Sequence, residues 1–406
     1  MKALSLGLLL ICATACATGK PAATAPTSAR SAHEIEVPRT VITPHTGATI
    51  PELLREAEAL ATAERWAEAA AAYDRVHRLD AEGQTGEGAL WGAADAHDRA
   101  GDLEAALKRY LLVAAREPSS ARGREAMVRA SRIQVFLGRF AAAGVTAERL
   151  LKSLELLSDS QRIAAYGARA LALLERQEEQ QASYFIEKAR DIVEANRLDA
   201  AGRIPRDVAQ LYYALGESRR VKAERIVFQP TPPTPEFLLA LEQRCQLLLD
   251  AQSAYSDSMR AYDAHWSAMA GFRTAELYQK LHHDLFPITP PPSADTERKR
   301  QLFEGAVRIR YGVLLTKAKG MAQHTLDMAE RTGERSEWVD RTRSALSSID
   351  RAMAEEEAAL AQLAPFTRAD FEAYLAELEA KAKSAAPPKS PAPAPKPSST
   401  SPSPAR

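Results

Sequence analysis

The 406-residue sequence predicts an all-α protein, a solenoid of helical hairpins followed by a region of longer antiparallel helices. Three observations carry that expectation. Apolar residues recur three and four positions apart rather than in the alternation of a strand. Only 19 glycines occur, against abundant alanine, the best helix former. A set of small residues also returns at intervals of 37 to 39 positions, which marks an internal repeat. The 53 basic and 53 acidic residues cancel, and no like-charge block stands out beyond Glu355-Glu356-Glu357, so neither nucleic acid nor a general anionic surface is an expected partner.

At the amino terminus Lys2 precedes an apolar run from Ala3 to Ile11 and then small residues up to Cys16, the layout of a signal peptide over residues 1–15. A permanent membrane helix needs roughly 20 apolar residues, and neither this run nor any later one is that long. Ala13-Thr14-Ala15-Cys16 resembles the lipobox of bacterial lipoproteins, with Ala13 where that family prefers Leu. The resemblance implies that Cys16 is acylated and anchors the chain in a membrane. Ala17, in place of the Asp that retains such proteins at the inner membrane, implies the outer membrane, facing the periplasm. An ordinary signal-peptidase site with an incidental Cys16 is the alternative. Residues 16–50, rich in Ala, Thr, Pro and Ser, read as a flexible tether. With Cys12 removed and Cys16 acylated, Cys245 alone remains, so no intrachain disulfide is expected. Its apolar surroundings, Leu238 to Leu249, predict a small buried hydrophobe rather than a reactive thiol.

The repeat occupies residues 51–229. Ala69, Ala106 and Ala143 stand 37 residues apart, and Ala182 follows 39 later. Four positions after them come Tyr73, Tyr110, Ala147 and Ile186, and seven after come Val76, Val113, Leu150 and Ala189. Twelve before stand Ala57, Ala94, Ser131 and Ala170, and sixteen before stand Leu53, Leu90, Met127 and Tyr166. Antiparallel helices approach closely only where one side chain is small, with larger neighbours filling the flanking grooves. Gly101-Asp102 and Gly138-Arg139 fall where the hairpins turn, and Pro118 closes the second unit.

Leu90-Trp91-Gly92-Ala93-Ala94, Gly101-Asp102-Leu103-Glu104-Ala105-Ala106, Tyr110 and Pro118 resemble the tetratricopeptide repeat, over about Pro51 to Asn196. The unit exceeds the family's usual length, which residues such as Gly83 to Gly86 between hairpins would explain, and His97 and Gln134 replace its usual large apolar residues. The resemblance implies a scaffold whose concave groove, lined by the first helix of each unit, takes a peptide or protein ligand. Its groove positions fall on Leu54 and Glu58, on Trp91, Asp95, Asp98 and Arg99, and on Val128, Arg132, Val135 and Phe136. Trp91 reads equally as a groove anchor flanked by Arg99 and Arg132 or as core between units.

Beyond the fourth unit, Val208, Leu211, Tyr212 and Leu215 predict the first helix of a fifth hairpin, with Val221 to Phe228 as its second. The prolines of segment 230–235 break any helix and mark a boundary before a long-helix region, 236–384. There, Glu236 to Phe286 reads as one unbroken helix with a coiled-coil seam through Tyr255, Met259, Tyr262, Trp266, Met269 and Phe272. It is expected to pair antiparallel with a second long helix carrying Leu302, Ala306, Ile309 and Val313. Trp338–Leu363 and Phe366–Lys383 follow, the last weakly attached, and the Pro/Ala/Ser tail of 385–406 cannot build a core.

Catalytic constellations are scarce. No phosphate-binding glycine loop, Gly-x-Ser-x-Gly, Cys-x-x-Cys or His-Glu-x-x-His occurs, and no cofactor or metal is expected. His282-His283-Asp284 is the most suggestive cluster, but adjacent helix residues point about 100° apart and a polar helix end is the simpler reading. His97 reads as a satisfied core histidine. With no catalytic set, the two resemblances together imply a non-catalytic lipoprotein scaffold or assembly factor for envelope proteins, the role similar lipoproteins play in outer-membrane protein insertion, secretin assembly and gliding motility. A periplasmic solute- or glycan-binding protein is the alternative, with a pocket framed by Trp266, Tyr278 and Arg308.

Overall fold

The computed structural model describes residues 47–385 apart from 201, 230–232 and 364, so the expected signal peptide, Cys16, most of the tether and the tail beyond 385 lie outside the described residues. Among the described residues there are fourteen α-helices and no strand, the all-α fold that the helical periodicity predicts. Four hairpins come first: α1 (Ile50–Thr62) with α2 (Trp66–Leu79), α3 (Gln84–Ala100) with α4 (Leu103–Arg116), α5 (Ala121–Phe136) with α6 (Phe140–Leu151), and α7 (Asp159–Glu175) with α8 (Glu179–Ala195). Each helix packs on the next along the row.

The spaced small residues are the contact points. Ala69, Ala106, Ala143 and Ala182 are wholly buried, as are Ala57, Ala94 and Ala170, with Ser131 nearly so. Leu53, Leu90, Val76, Val113 and Leu150 fill the space around them. The turn inside every hairpin is also the same. Glu64, Gly101, Gly138 and Gln177 take φ of 56°, 80°, 68° and 62°, and the residue after each donates its N–H back five positions, to Leu60, His97, Gln134 and Leu173. Glycine enters that left-handed region freely, whereas Glu64 and Gln177 hold it at a cost. Gly86, expected among spacer residues, lies inside α3, and a Cβ there would fall 1.6 Å from the Asp80 carbonyl oxygen. Gly123 on α5 meets the Glu117 carbonyl in the same way, at 1.8 Å.

The fifth hairpin departs from expectation. α9 (Arg206–Glu224) ends before Val227, and Val221–Phe228 forms no second helix. Instead, the Ile226 carbonyl accepts from Arg244 Nη1 at 2.7 Å and the Phe228 ring packs on Phe237, so this stretch covers the start of α10 (Pro235–Met259). α9 pairs with α10. One continuous core runs from Val128 to Ile349, across the proline-rich segment.

The expected fifty-residue helix is likewise two. α10 ends at Met259, Tyr262 turns out at φ 53° and 74 % exposed, and Asp263 caps α11 (Ala264–Leu285) by accepting from the N–H groups of His265 and Trp266 at 3.1 Å. The apolar seam continues through Tyr255, Trp266, Met269 and Phe272, but across a break that an Asx cap imposes. α11 pairs with α12 (Glu297–Thr332), and α13 (Glu337–Gln362) lies against both. α14 (Arg368–Ala385) rests on α12 through Phe371, buried against Gly305 where any Cβ would fall 2.2 Å from its ring, while most of its described residues stay exposed.

Candidate protein-binding groove

α3 and α5 present their groove residues toward a cavity of about 750 Å³. Asp95, Asp98, Arg99, Arg132 and Phe136 meet there, joined by Trp66, Glu125 and Arg129. The charged groups are interlocked. Asp95 accepts from Arg99 Nε at 2.8 Å and Arg129 Nη1 at 2.6 Å, Asp98 accepts from Arg132 Nη2 at 2.8 Å, and Arg129 Nε donates to Glu125 at 3.0 Å. The Arg99 guanidinium lies over the Trp66 ring, 4.6 Å from its centroid. Just behind, Asp74 accepts from Arg109 and approaches His97 Nε2 at 3.1 Å. Burial raises its carboxyl, but the bonds from Arg109 and His97 outweigh that and hold it below the usual range.

The other expected groove residues stand elsewhere. Leu54 packs beside Leu53 and Val76, Glu58 is exposed, and Val128 and Val135 are core. Trp91 is half-buried against Tyr110, edge to face at 5.7 Å, and its cation is Arg129, 5.0 Å away, rather than Arg99 or Arg132. Burial pushes the Tyr110 hydroxyl well above its ordinary value, so it stays protonated beside Arg129.

The second half of the chain closes the groove. The Phe136 ring is stacked by His265 at 4.1 Å and met by the edge of Trp266 at 4.8 Å. The Phe136 carbonyl, at the end of α5, accepts from Trp338 Nε1 at 2.7 Å, and His265 Nε2 lies 3.4 Å from it. His265 Nδ1 stands 3.2 Å from Glu334, a carboxyl that burial raises but the bond with His265 holds below its usual range. Arg206 pairs with Asp263 at 2.8 Å beside them. The starts of α11 and α13 thus form an end wall that fixes the length of the groove.

No protein-family model matches the chain, and no curated protein matches it in sequence. Solved structures do. A tetratricopeptide repeat protein from Parabacteroides merdae is similar at 13% identity and a TM-score of 0.36, over 73% of this chain and 100% of that one. Yeast Tom70 is similar at 11% identity and a TM-score of 0.30, over 82% of this chain and 69% of that one.

Sequence reasoning missed Trp66, Arg129 and the wall residues Asp263, His265 and Glu334. A signal existed for Arg129: Asp74–Arg109, Asp95–Arg129, Asp98–Arg132 and Glu104–Arg139 are opposite charges 34 or 35 positions apart, slightly less than one repeat. The pocket expected from Trp266, Tyr278 and Arg308 does not assemble. Trp266 and Tyr278 are core, and Arg308 is tied to Glu304 and Glu356. Among the described residues no group of three His, Cys, Asp or Glu could hold a metal ion, and no helix is long and apolar enough to cross a membrane. Cys245 is buried, as its apolar surroundings predict.

Proposed function

We propose that this chain is a non-catalytic, tetratricopeptide-like lipoprotein of the bacterial envelope. Anchored at the outer membrane through Cys16, it faces the periplasm and serves as a scaffold or assembly factor for a multiprotein machine such as those of outer-membrane protein or secretin assembly or of motility. The observation that supports this reading most is the walled cavity between α3, α5 and the starts of α11 and α13. Its arginines and carboxylates are held rigid by one another, and an extended segment of a partner protein can exchange with those pairs at little ordering cost. The lipobox-like Ala13-Thr14-Ala15-Cys16 supplies the anchor.

The test is a pull-down from membranes with tagged wild type and Cys16→Ala, each fractionated by density. The reading expects one envelope complex to co-purify, with wild type in the outer membrane and the variant soluble. Both versions staying soluble and capturing no protein would count against anchor and scaffold together.

A further inference from the structure

Far from the groove, α11, α12 and the loop joining them line a half-open slot of about 180 Å³ walled by Leu285, Phe286, Ile288, Phe303, Val307 and Tyr311. A broader basin of about 760 Å³ adjoins it toward α13, and His282, Phe286 and Arg308 line both. The slot is apolar. Dry protein cavities of ~150 Å³ take up a benzene ring, so this one has the capacity for a single substituted ring.

The polar groups at the junction are mostly satisfied. Arg308 donates to Glu304 at 2.9 Å and to Glu356 at 3.0 Å, Glu276 accepts from Arg273 at 2.6 Å, and Gln279 bonds Ser348 at 3.0 Å. His282 is the exception. It is 6 % exposed, and Glu356 Oε1 lies 3.8 Å from its Nε2, beyond hydrogen-bond reach. Burial, with His283 and Arg308 adding to it, pushes the ring down to about 4, so at neutral pH it is an uncharged imidazole with one donor and one acceptor. The side chain thus opens on both cavities with hydrogen-bonding capacity unused among the described residues.

We propose that this slot binds a small phenol-class molecule, with its aromatic ring among Phe286, Phe303 and Val307 and its hydroxyl hydrogen-bonded to His282. Existing ion pairs set the class. Arg308 is already bonded to Glu304 and Glu356, so a charged ligand would have to displace one of these pairs to gain a counter-ion. A plain hydrocarbon would fill the slot but leave the imidazole desolvated without a partner. A hydroxyl gives and takes one hydrogen bond with a neutral imidazole and meets none of these penalties.

Isothermal titration of the purified full chain with p-cresol, toluene and p-toluate tests this. Saturable p-cresol binding at one site is expected, about tenfold tighter than toluene, the size of one satisfied hydrogen bond, and tighter still than p-toluate. Val307→Trp, which fills the slot from a half-buried position, should abolish binding. His282→Leu should erase the preference for p-cresol over toluene while toluene still binds. No saturable p-cresol binding to wild type, p-toluate binding as tightly, or p-cresol binding unchanged in Val307→Trp would each overturn the assignment. If either variant fails to fold, the ligand series on wild type decides alone.

Discussion

The four hairpins from α1 to α8 and the helices from α9 onward are built from the same kind of element but hold together differently. In the hairpins each contact lies within about one repeat in sequence, and the same small residue, turn and ion pair recur unit after unit. In the second half the decisive contacts are singular, and some are long in sequence. Trp338 reaches the Phe136 carbonyl across 202 positions. Glu217, wholly enclosed, accepts from Tyr255 at 2.6 Å and Arg220 at 2.8 Å, with Arg273 Nε 3.1 Å away. Periodic packing can lose one unit's contact and keep its neighbours, whereas singular packing has no second copy of the contact.

That difference orders the expected effects of mutation. Trp338→Ala removes a side chain only 2 % exposed together with the bond that ties α13 to α5, and should cost about 3–5 kcal/mol in urea unfolding. The same truncation at the half-buried Trp91 should cost about 1–2 kcal/mol. Equal losses at the two sites would erase the distinction.

Glu217→Gln comes next. Removing the carboxylate leaves Arg220 and Arg273 with only the less buried Glu224 and Glu276 as counter-charges, a loss of about 2 kcal/mol by the same measurement. Burial raises the Glu217 carboxyl, but Arg273 and Arg220 outweigh it and bring it down to about 2. A carboxyl depressed on folding stabilises the native state fully above its ordinary value near 4.5, and the contribution fades as pH falls toward about 2. Wild type should therefore lose more stability than Glu217→Gln between pH 4.5 and 2. Parallel pH profiles would show that the cluster contributes nothing through this charge.

The smallest effect sharpens the other side of the comparison. Gln177→Gly relieves a left-handed residue in the fourth hairpin turn, where the second and third hairpins already have glycine. Offset by glycine's extra freedom in the unfolded chain, the net gain should be a few tenths to about 1 kcal/mol in thermal unfolding. A loss of stability there would mean that the four turns are not equivalent.

Legibility in the sequence follows the same division. The hairpin array was readable because periodicity is a local signal, and Ala69, Ala106, Ala143 and Ala182 declare themselves by spacing alone. The break of the expected long helix was not, because the apolar seam passes through Tyr262 without interruption and only the capping geometry of Asp263 reveals it. α14 looked weakly attached because its charge is plain and the anchoring of Phe371 over Gly305 is a tertiary contact. Of the groove, Asp95, Asp98, Arg99 and Arg132 were found on the first-helix face. The wall was invisible, since nothing in the sequence places His265 against Phe136, 129 residues earlier.

The central claim is that the walled cavity beside α3 and α5 is where a partner protein is held, and Arg99→Glu tests it most directly. Arg99 is exposed at the cavity rim, stacked on Trp66 and, among the described residues, paired only with Asp95, so reversing its charge changes the groove and spares the core. In a quantitative pull-down against the complex captured by wild type, the variant should recover about one-tenth as much partner, the effect of about 1.4 kcal/mol at the interface, with an unchanged melting temperature. Full recovery of the partner by Arg99→Glu would contradict the claim and move the binding surface elsewhere on the chain.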